Sequence, residues 1–224
     1  MHTGPGIAAL CGTTGRLVAA SWTAVSGWLV ALAAGGCMLD VVIVEPRADV
    51  FYSLLSTFAQ FALTGILLRQ TGRHHAWGKA GRAASFVGAG IVTALAVLVG
   101  TLLLVVPGIY LAARWLLVSP LIIGEGMTVS EAMRASWRRT AGSFLPLMAA
   151  LALLFVPGFG GYLLVAMLAY PEYGPADPLA AAAGNLFLSA AMILGWCLAV
   201  AAHIVLGPQD QLSSPALEGD AATA

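Results

Sequence analysis

The sequence predicts an all-α polytopic membrane protein with about six transmembrane helices and short interfacial amphipathic helices. The first observation is composition: 60% of the 224 residues are hydrophobic and 9% are charged, and the mean hydropathy is +0.91. Soluble domains carry about 25% charged residues. The second observation is that the apolar residues form long runs, which short charged or Pro/Gly-containing breaks separate. Because lipid accepts such surface and water does not, residues 1–208 are expected to form one integral membrane helical domain.

The apolar runs give the approximate position of each span. A helix that crosses a bilayer needs about 20 apolar residues. Six runs approach this length, and the predicted spans are 26–44, 50–68, 83–106, 109–124, 143–169 and 179–206. The fourth run is short, so it either crosses fully or forms a re-entrant segment, and Pro107-Gly108 before it is expected to be an outer turn. The small, polar and acidic segment 209–224 is predicted to be a disordered cytoplasmic tail.

The distribution of Lys and Arg predicts the orientation, because the cytoplasmic loops of membrane proteins are enriched in both. With six spans and an inner N-terminus, most of the basic residues fall on the inner side: Arg16, Arg69, Arg73, Lys79, Arg82, Arg134, Arg138 and Arg139. The predicted outer loops are acidic instead. A five-span arrangement would move the cluster at 134–139 outside, against this rule. We therefore expect six spans and two cytoplasmic termini.

A short amphipathic helix is predicted at about 128–141, between the fourth and fifth spans. Thr128 and Glu131 have the spacing of a capping box, which marks a helix start. Arg134 and Arg138 then share one face of the helix, opposite a face that carries Trp137. This pattern is typical of a helix that lies in the membrane interface, with its arginines towards the anionic headgroups of the inner leaflet.

Arg114 is the one basic residue within a predicted span. A charge at the bilayer centre costs about 2.5–3.5 kcal/mol on insertion scales, so such residues are candidates for function. Counted from the expected turn at Pro107-Gly108, Arg114 would lie near the outer surface. Asp40 lies at a similar depth in the first span and is the expected partner. We interpret Arg114 as a tether between helices or a snorkelling anchor, with a substrate or ion pathway as the alternative.

Five further polar residues are candidates inside the predicted bundle. Glu125 ends the fourth span at the inner surface, where it is expected to pair with an inner-loop cation such as Arg82. His203, near the inner end of the last span, is expected to bond a backbone carbonyl, with a proton relay as the alternative. Gln60, Thr64 and Asn185 are suited to hydrogen bonds between helices.

The sequence offers no residues for a catalytic, cofactor or metal site. The three cysteines form no CxxC pattern. His74-His75 has no partner acids at metal-ligand spacing, and phosphate-loop, serine-hydrolase and zinc-protease motifs are absent. The formal net charge is zero, which gives no indication of nucleic-acid binding. We therefore expect a protein that is not an enzyme and needs no cofactor.

The stretches PGIYLAARWLLVSPLIIGEG and EAMRASWRRTAG resemble those of a bacterial family. It comprises YciC-like six-span inner-membrane proteins and the membrane domain that precedes some glycerophosphodiester phosphodiesterases. The matching residues are Pro107, Gly108, Tyr110, Arg114, Trp115, Pro120, Glu125, Ala132, Ser136 and Gly142. The resemblance implies a multi-pass protein of the bacterial cytoplasmic membrane whose biochemical role is largely undefined. The phosphodiesterase activity belongs to a soluble domain with a His-Arg-Gly motif, which is absent here, so that activity is not inferred.

Two functions are compatible with these features, and a third, a membrane-embedded enzyme, is disfavoured because no nucleophile–base or metal set can be assembled. The first is a non-enzymatic scaffold or partner subunit at the inner leaflet, whose partners are the bilayer, anionic headgroups and an unidentified membrane protein. The second is a small transporter or lipid-handling protein that uses Arg114 and the proline breaks. A water-filled cavity that reaches Arg114 would favour transport, whereas a packed Arg114 would favour the scaffold.

Overall fold

The computed structural model describes residues 6–43, 48–72, 84–93, 95, 105–169 and 177–207, which are helical apart from short turns. The first helices are α1 (Ile7–Ala20), α2 (Trp22–Met38), which continues into a π-helical turn at Leu39–Ile43, and α3 (Ala48–Gln70). Then come α4 (Ala84–Thr93), α5 (Val105–Arg114), α6 (Val118–Glu125), α7 (Val129–Arg139), α8 (Phe144–Ala169) and α9 (Pro178–Leu206). No β-strand occurs in this part of the chain.

Five helical segments in the described residues are long and apolar enough to cross a membrane. They are Trp22–Val42, Val50–Gln70, Pro107–Glu125, Phe144–Leu168 and Pro178–Leu206. The predicted fold class, an all-α polytopic membrane protein, is confirmed. Most of the predicted third span at 83–106, the basic loop with His74-His75 and Arg82, and the tail 209–224 lie outside the described residues.

Helix α9 is the central element of the bundle and contacts α1, α2, α3, α6 and α8. Its many alanines let neighbouring helices approach closely, which is how helices associate within lipid. Gly36 of α2 lies directly against Asn185 of α9, and a Cβ at this glycine would come within 1.9 Å of the Asn185 Oδ1 atom. By contrast, α8 exposes large apolar side chains such as Leu153, Leu163 and Met167, as expected for a surface that faces lipid.

Helix α1 was not anticipated from the sequence, which placed the first span at 26–44. Leu10, Thr14 and Leu17 are buried on one face of α1, and the helix packs on α9. The chain turns at Ser21, whose hydroxyl donates a hydrogen bond to Gln70 at the end of α3. The junction between α1 and α2 therefore lies beside the C-terminal end of α3.

The expected outer turn at Pro107-Gly108 is wrong, because both residues lie inside α5. Proline is tolerated near the start of a helix, where its missing N–H has no intrahelical acceptor. The chain bends further on, in a turn at residues 115–117. Helices α5 and α6 have 10 and 8 residues, or about 15 and 12 Å at 1.5 Å per residue. The predicted fourth span is therefore a discontinuous pair of short helices.

Candidate functional site at the α7 end of the bundle

Arg114 is the last residue of α5 and is 8% exposed. Its guanidinium carbon lies 4.2 Å from the centre of the Trp137 ring and 5.7 Å from that of Tyr110. Trp115 also approaches Trp137, with ring centres 6.3 Å apart. A guanidinium within about 6 Å of an aromatic face is attracted by the ring quadrupole, most strongly where water is excluded. The arginine is therefore held mainly by aromatic rings.

Hydrogen bonds fix the end of α5 to α7. The Ser136 hydroxyl donates to the backbone carbonyl of Arg114 at 2.7 Å. The Arg114 Nη1 atom lies 3.5 Å from the Thr140 Oγ1 atom. Ser136 and Thr140 are both fully buried, and Ser136 satisfies a carbonyl that the turn after Arg114 leaves without an intrahelical partner. Because α7 carries these groups, Arg114 lies at the α7 end of the bundle.

The predicted pairing of Arg114 with Asp40 is wrong. Asp40 lies in the π-helical turn after α2, and its Oδ2 atom accepts a 2.7 Å hydrogen bond from the Asn185 Nδ2 atom near the start of α9. The contacts of Arg114 are with α7 instead. The prediction failed because the depth of Arg114 was counted from a turn at Pro107-Gly108 that the chain does not make. The interhelical bonds expected of Asn185 and Gln60 are confirmed, since Gln60 Nε2 donates to Ser119 Oγ at 3.3 Å. Thr64 is buried on α3, and its interhelical bond stays a prediction.

Glu125 forms a bidentate ion pair with Arg139. The Arg139 Nη1 and Nη2 atoms lie 2.6 and 2.9 Å from the two carboxylate oxygens, and the two side chains are 20% and 23% exposed. The cation is therefore from α7, while the anticipated partner Arg82 lies outside the described residues. The pair joins the last residue of α6 to the last residue of α7 across the turn at 126–128.

His203 is 3% exposed on α9, and its Nε2 atom lies 3.8 Å from the Glu125 Oε1 atom. Both residues were predicted to lie near the inner surface, but a contact between them was not predicted. This proximity connects the central helix to the Glu125–Arg139 pair. The α7 end thus joins α5, α6, α7 and α9 through polar side chains.

Helix α7 exposes Glu131, Arg134 and Arg138. Its first turn is capped by Glu131, whose carboxylate accepts bonds from the Thr128 hydroxyl at 2.7 Å and the Thr128 N–H at 2.9 Å. These bonds hold the pKa of the Glu131 carboxyl below its usual value. Arg134 and Arg138 are exposed, and Trp137 is 37% exposed. The outer face of α7 is therefore basic with an aromatic residue at its edge.

The residues that carry the sequence resemblance gather around this end. Tyr110 stacks edge-on against Trp137 and Phe144, with ring centres 5.9 Å apart in both pairs. Gly108 and Pro120 are buried, and Gly142 lies exposed in the turn between α7 and α8. The contacts of Arg139 and Thr140 were not predicted, although both residues lie within the stretch EAMRASWRRTAG. Within the described residues, no group of three or more His, Cys, Asp or Glu is placed to hold a metal ion.

Comparison with known families identifies the region that contains this site. The family model for the membrane domain of glycerophosphoryl diester phosphodiesterase matches residues 86–206, more than half of the chain. The protein belongs to this family. The match includes Arg114, Glu125, Arg139 and His203 and excludes Asp40. No curated protein matches the chain, and no solved structure does. Family membership and the apolar helices together identify an integral membrane protein.

Proposed function

We propose that this protein is a non-enzymatic scaffold or partner subunit at the inner leaflet of the bacterial cytoplasmic membrane. The observation that best supports the proposal is the mutual engagement of the polar side chains at the α7 end. Arg114 stacks on Trp137, and Glu125 pairs bidentately with Arg139. Side chains engaged in this way fix α7 against the bundle, and the result is a rigid, basic surface suited to docking.

The charge pattern supports an inner-leaflet location for this surface. Arg134 and Arg138 are exposed on α7, and each arginine near an anionic membrane surface contributes about 1 kcal/mol of attraction. Cytoplasmic loops carry such residues more often than outer loops do. The proposed orientation therefore has both termini in the cytoplasm and α7 on the anionic inner leaflet, within reach of a membrane-protein partner.

Site-specific photocrosslinking in native membranes tests this role. A photoreactive residue at position 138, on the exposed face of α7, should form an adduct with one protein of defined mass. The matched control is position 163 on α8, because Leu163 is 53% exposed on an apolar helix and should contact only lipid. Identical adduct patterns at the two positions would reject docking through α7.

A small transporter or lipid-handling protein is the second candidate, and the break between α5 and α6 favours it. Discontinuous helices near polar groups form the substrate sites of many transporters. Ser119, just after the break, bonds Gln60 of α3. Purified protein in vesicles with a fluorescent phospholipid would test this function. Transfer of the probe between leaflets faster than in vesicles with heat-denatured protein would favour it over the scaffold.

A further inference from the structure

We propose that Arg114 anchors a binding site for a single phosphate oxyanion, either the phosphodiester of a membrane lipid or free inorganic phosphate. This proposal adds a ligand for the α7 end to the proposed function. Its position at the inner leaflet rests on that proposed function. The argument depends on the buried charge of Arg114, on its unused hydrogen-bond donors and on its contact with the partly exposed ring of Trp137.

The charge of Arg114 is buried without a counter-ion among the described residues. Its side chain is 8% exposed, and a guanidinium remains protonated at every physiological pH. The carboxylate of Glu125 accepts two short bonds from Arg139. A buried charge without a partner is strongly unfavourable, whereas a paired and hydrogen-bonded charge is tolerated. An anionic ligand would supply the buried charge of Arg114 with a partner.

The hydrogen-bond donors of Arg114 are also mostly unused. A guanidinium has five N–H donors, and the one bond that it makes within the described residues is from Nη1 to Thr140 Oγ1, at the long distance of 3.5 Å. Its Nε atom is buried and has no acceptor there. Arginine binds phosphate through two parallel N–H donors, and the edge formed by Nε and Nη2 has this geometry. The unused N–H donors on Nε and Nη2 therefore suit an oxyanion that presents two oxygen atoms.

The guanidinium of Arg114 lies next to a side chain that is partly exposed. Trp137 and Tyr110 lie against the guanidinium, and Trp137 is 37% exposed, so the site borders the surface of the protein. A basic site at the depth of the membrane interface is adjacent to phosphodiester groups, which favours phosphate as the oxyanion.

Native mass spectrometry of the purified full chain in detergent tests the site. The probes are phosphatidylglycerol, phosphatidylcholine and diacylglycerol, which share acyl chains and differ in the phosphate and headgroup. A phosphodiester site predicts that one molecule of either phospholipid is retained and that diacylglycerol is not. Inorganic phosphate at millimolar concentration is added in a second arm. If phosphate raises the melting temperature while neither phospholipid is retained, the oxyanion is free phosphate and not a lipid.

The substitution Arg114→Lys keeps the charge but removes the two-donor fork. It should weaken phospholipid retention, or the phosphate effect, by about tenfold or more, as expected for loss of charge-assisted bonds. The matched control is Arg138→Lys, the same change at an exposed arginine, which should alter binding by less than about twofold. Equal losses in the two variants would overturn the site in favour of general surface attraction.

The wild-type protein alone also decides the matter if Arg114→Lys does not fold. Equal retention of phospholipid and diacylglycerol, together with no effect of phosphate on the melting temperature, would overturn the proposal. The crosslinking result at position 138 is independent of these measurements. A scaffold without an oxyanion site would give the protein crosslink but no phosphate-dependent binding. An oxyanion site without a protein partner would give the reverse.

Discussion

The Glu125–Arg139 pair should be a major stabilising contact of the α7 end. The change that tests it is Glu125→Gln, which removes the charge and keeps the shape. The two bonds are 2.6 and 2.9 Å long. Exposed ion pairs contribute about 0–1 kcal/mol, and breaking a fully buried pair costs about 3–5 kcal/mol. Because the two side chains are 20% and 23% exposed, we expect a loss of about 2 kcal/mol in the free energy of unfolding.

The assay is equilibrium unfolding in mixed micelles of dodecyl maltoside and SDS, followed by circular dichroism. Glu125→Gln, Arg139→Gln and the double variant form a double-mutant cycle, with an expected coupling energy of about 1–2 kcal/mol. The control Arg138→Gln, at an exposed position, should change stability by less than about 0.5 kcal/mol. Additive effects of the two single changes would refute the pairing.

Two further predictions concern the close contact between α2 and α9 and the capping of α7. Gly36→Ala should destabilise the bundle by about 1–3 kcal/mol through overpacking, because the added Cβ would meet the Asn185 side chain. The control is Gly27→Ala, where the added Cβ would meet open space. Equal effects of the two substitutions on the melting temperature would contradict the close contact. Since bonds from Thr128 lower the folded-state pKa of Glu131, their stabilisation should be present above the ordinary carboxyl pKa of about 4.3 and disappear as the pH falls through the lower folded value. Glu131→Gln should therefore reduce the loss of melting temperature in that acidic range, and an unchanged pH profile would exclude the effect.

The fold class could be predicted because composition and the length of apolar runs act through a single physical cause, the cost of exposing polar backbone and charge to lipid. Local signals were also sufficient for α7, where Thr128 and Glu131 define the first turn. The hydrogen bonds of Gln60 and Asn185 were expected on the same grounds. A polar side chain within a span requires a partner, and neighbouring helices supply it.

The position of Arg114 could not be predicted from local signals. A Pro-Gly pair is compatible with a turn and with the first turn of a helix, and only the packing of α5 against α8 distinguishes them. The incorrect turn at Pro107-Gly108 changed the inferred depth of Arg114, and Asp40 was chosen as its partner from that depth. The stack on Trp137 depends on α5 and α7 meeting at an angle that sequence spacing does not encode. His203 approaches Glu125 for the same kind of reason, since the two helices are distant in the chain.

The central claim is that the basic face of α7 lies at the inner leaflet. It is tested most directly by single-cysteine labelling in intact cells, in a background where Cys11, Cys37 and Cys197 are replaced. Helix α8 has 26 residues, or about 39 Å at 1.5 Å per residue, so positions 138 and 174 on either side of it should face opposite compartments. Position 174 should react with an impermeant maleimide in intact cells, and position 138 only after permeabilisation. Labelling of position 138 in intact cells would contradict the account.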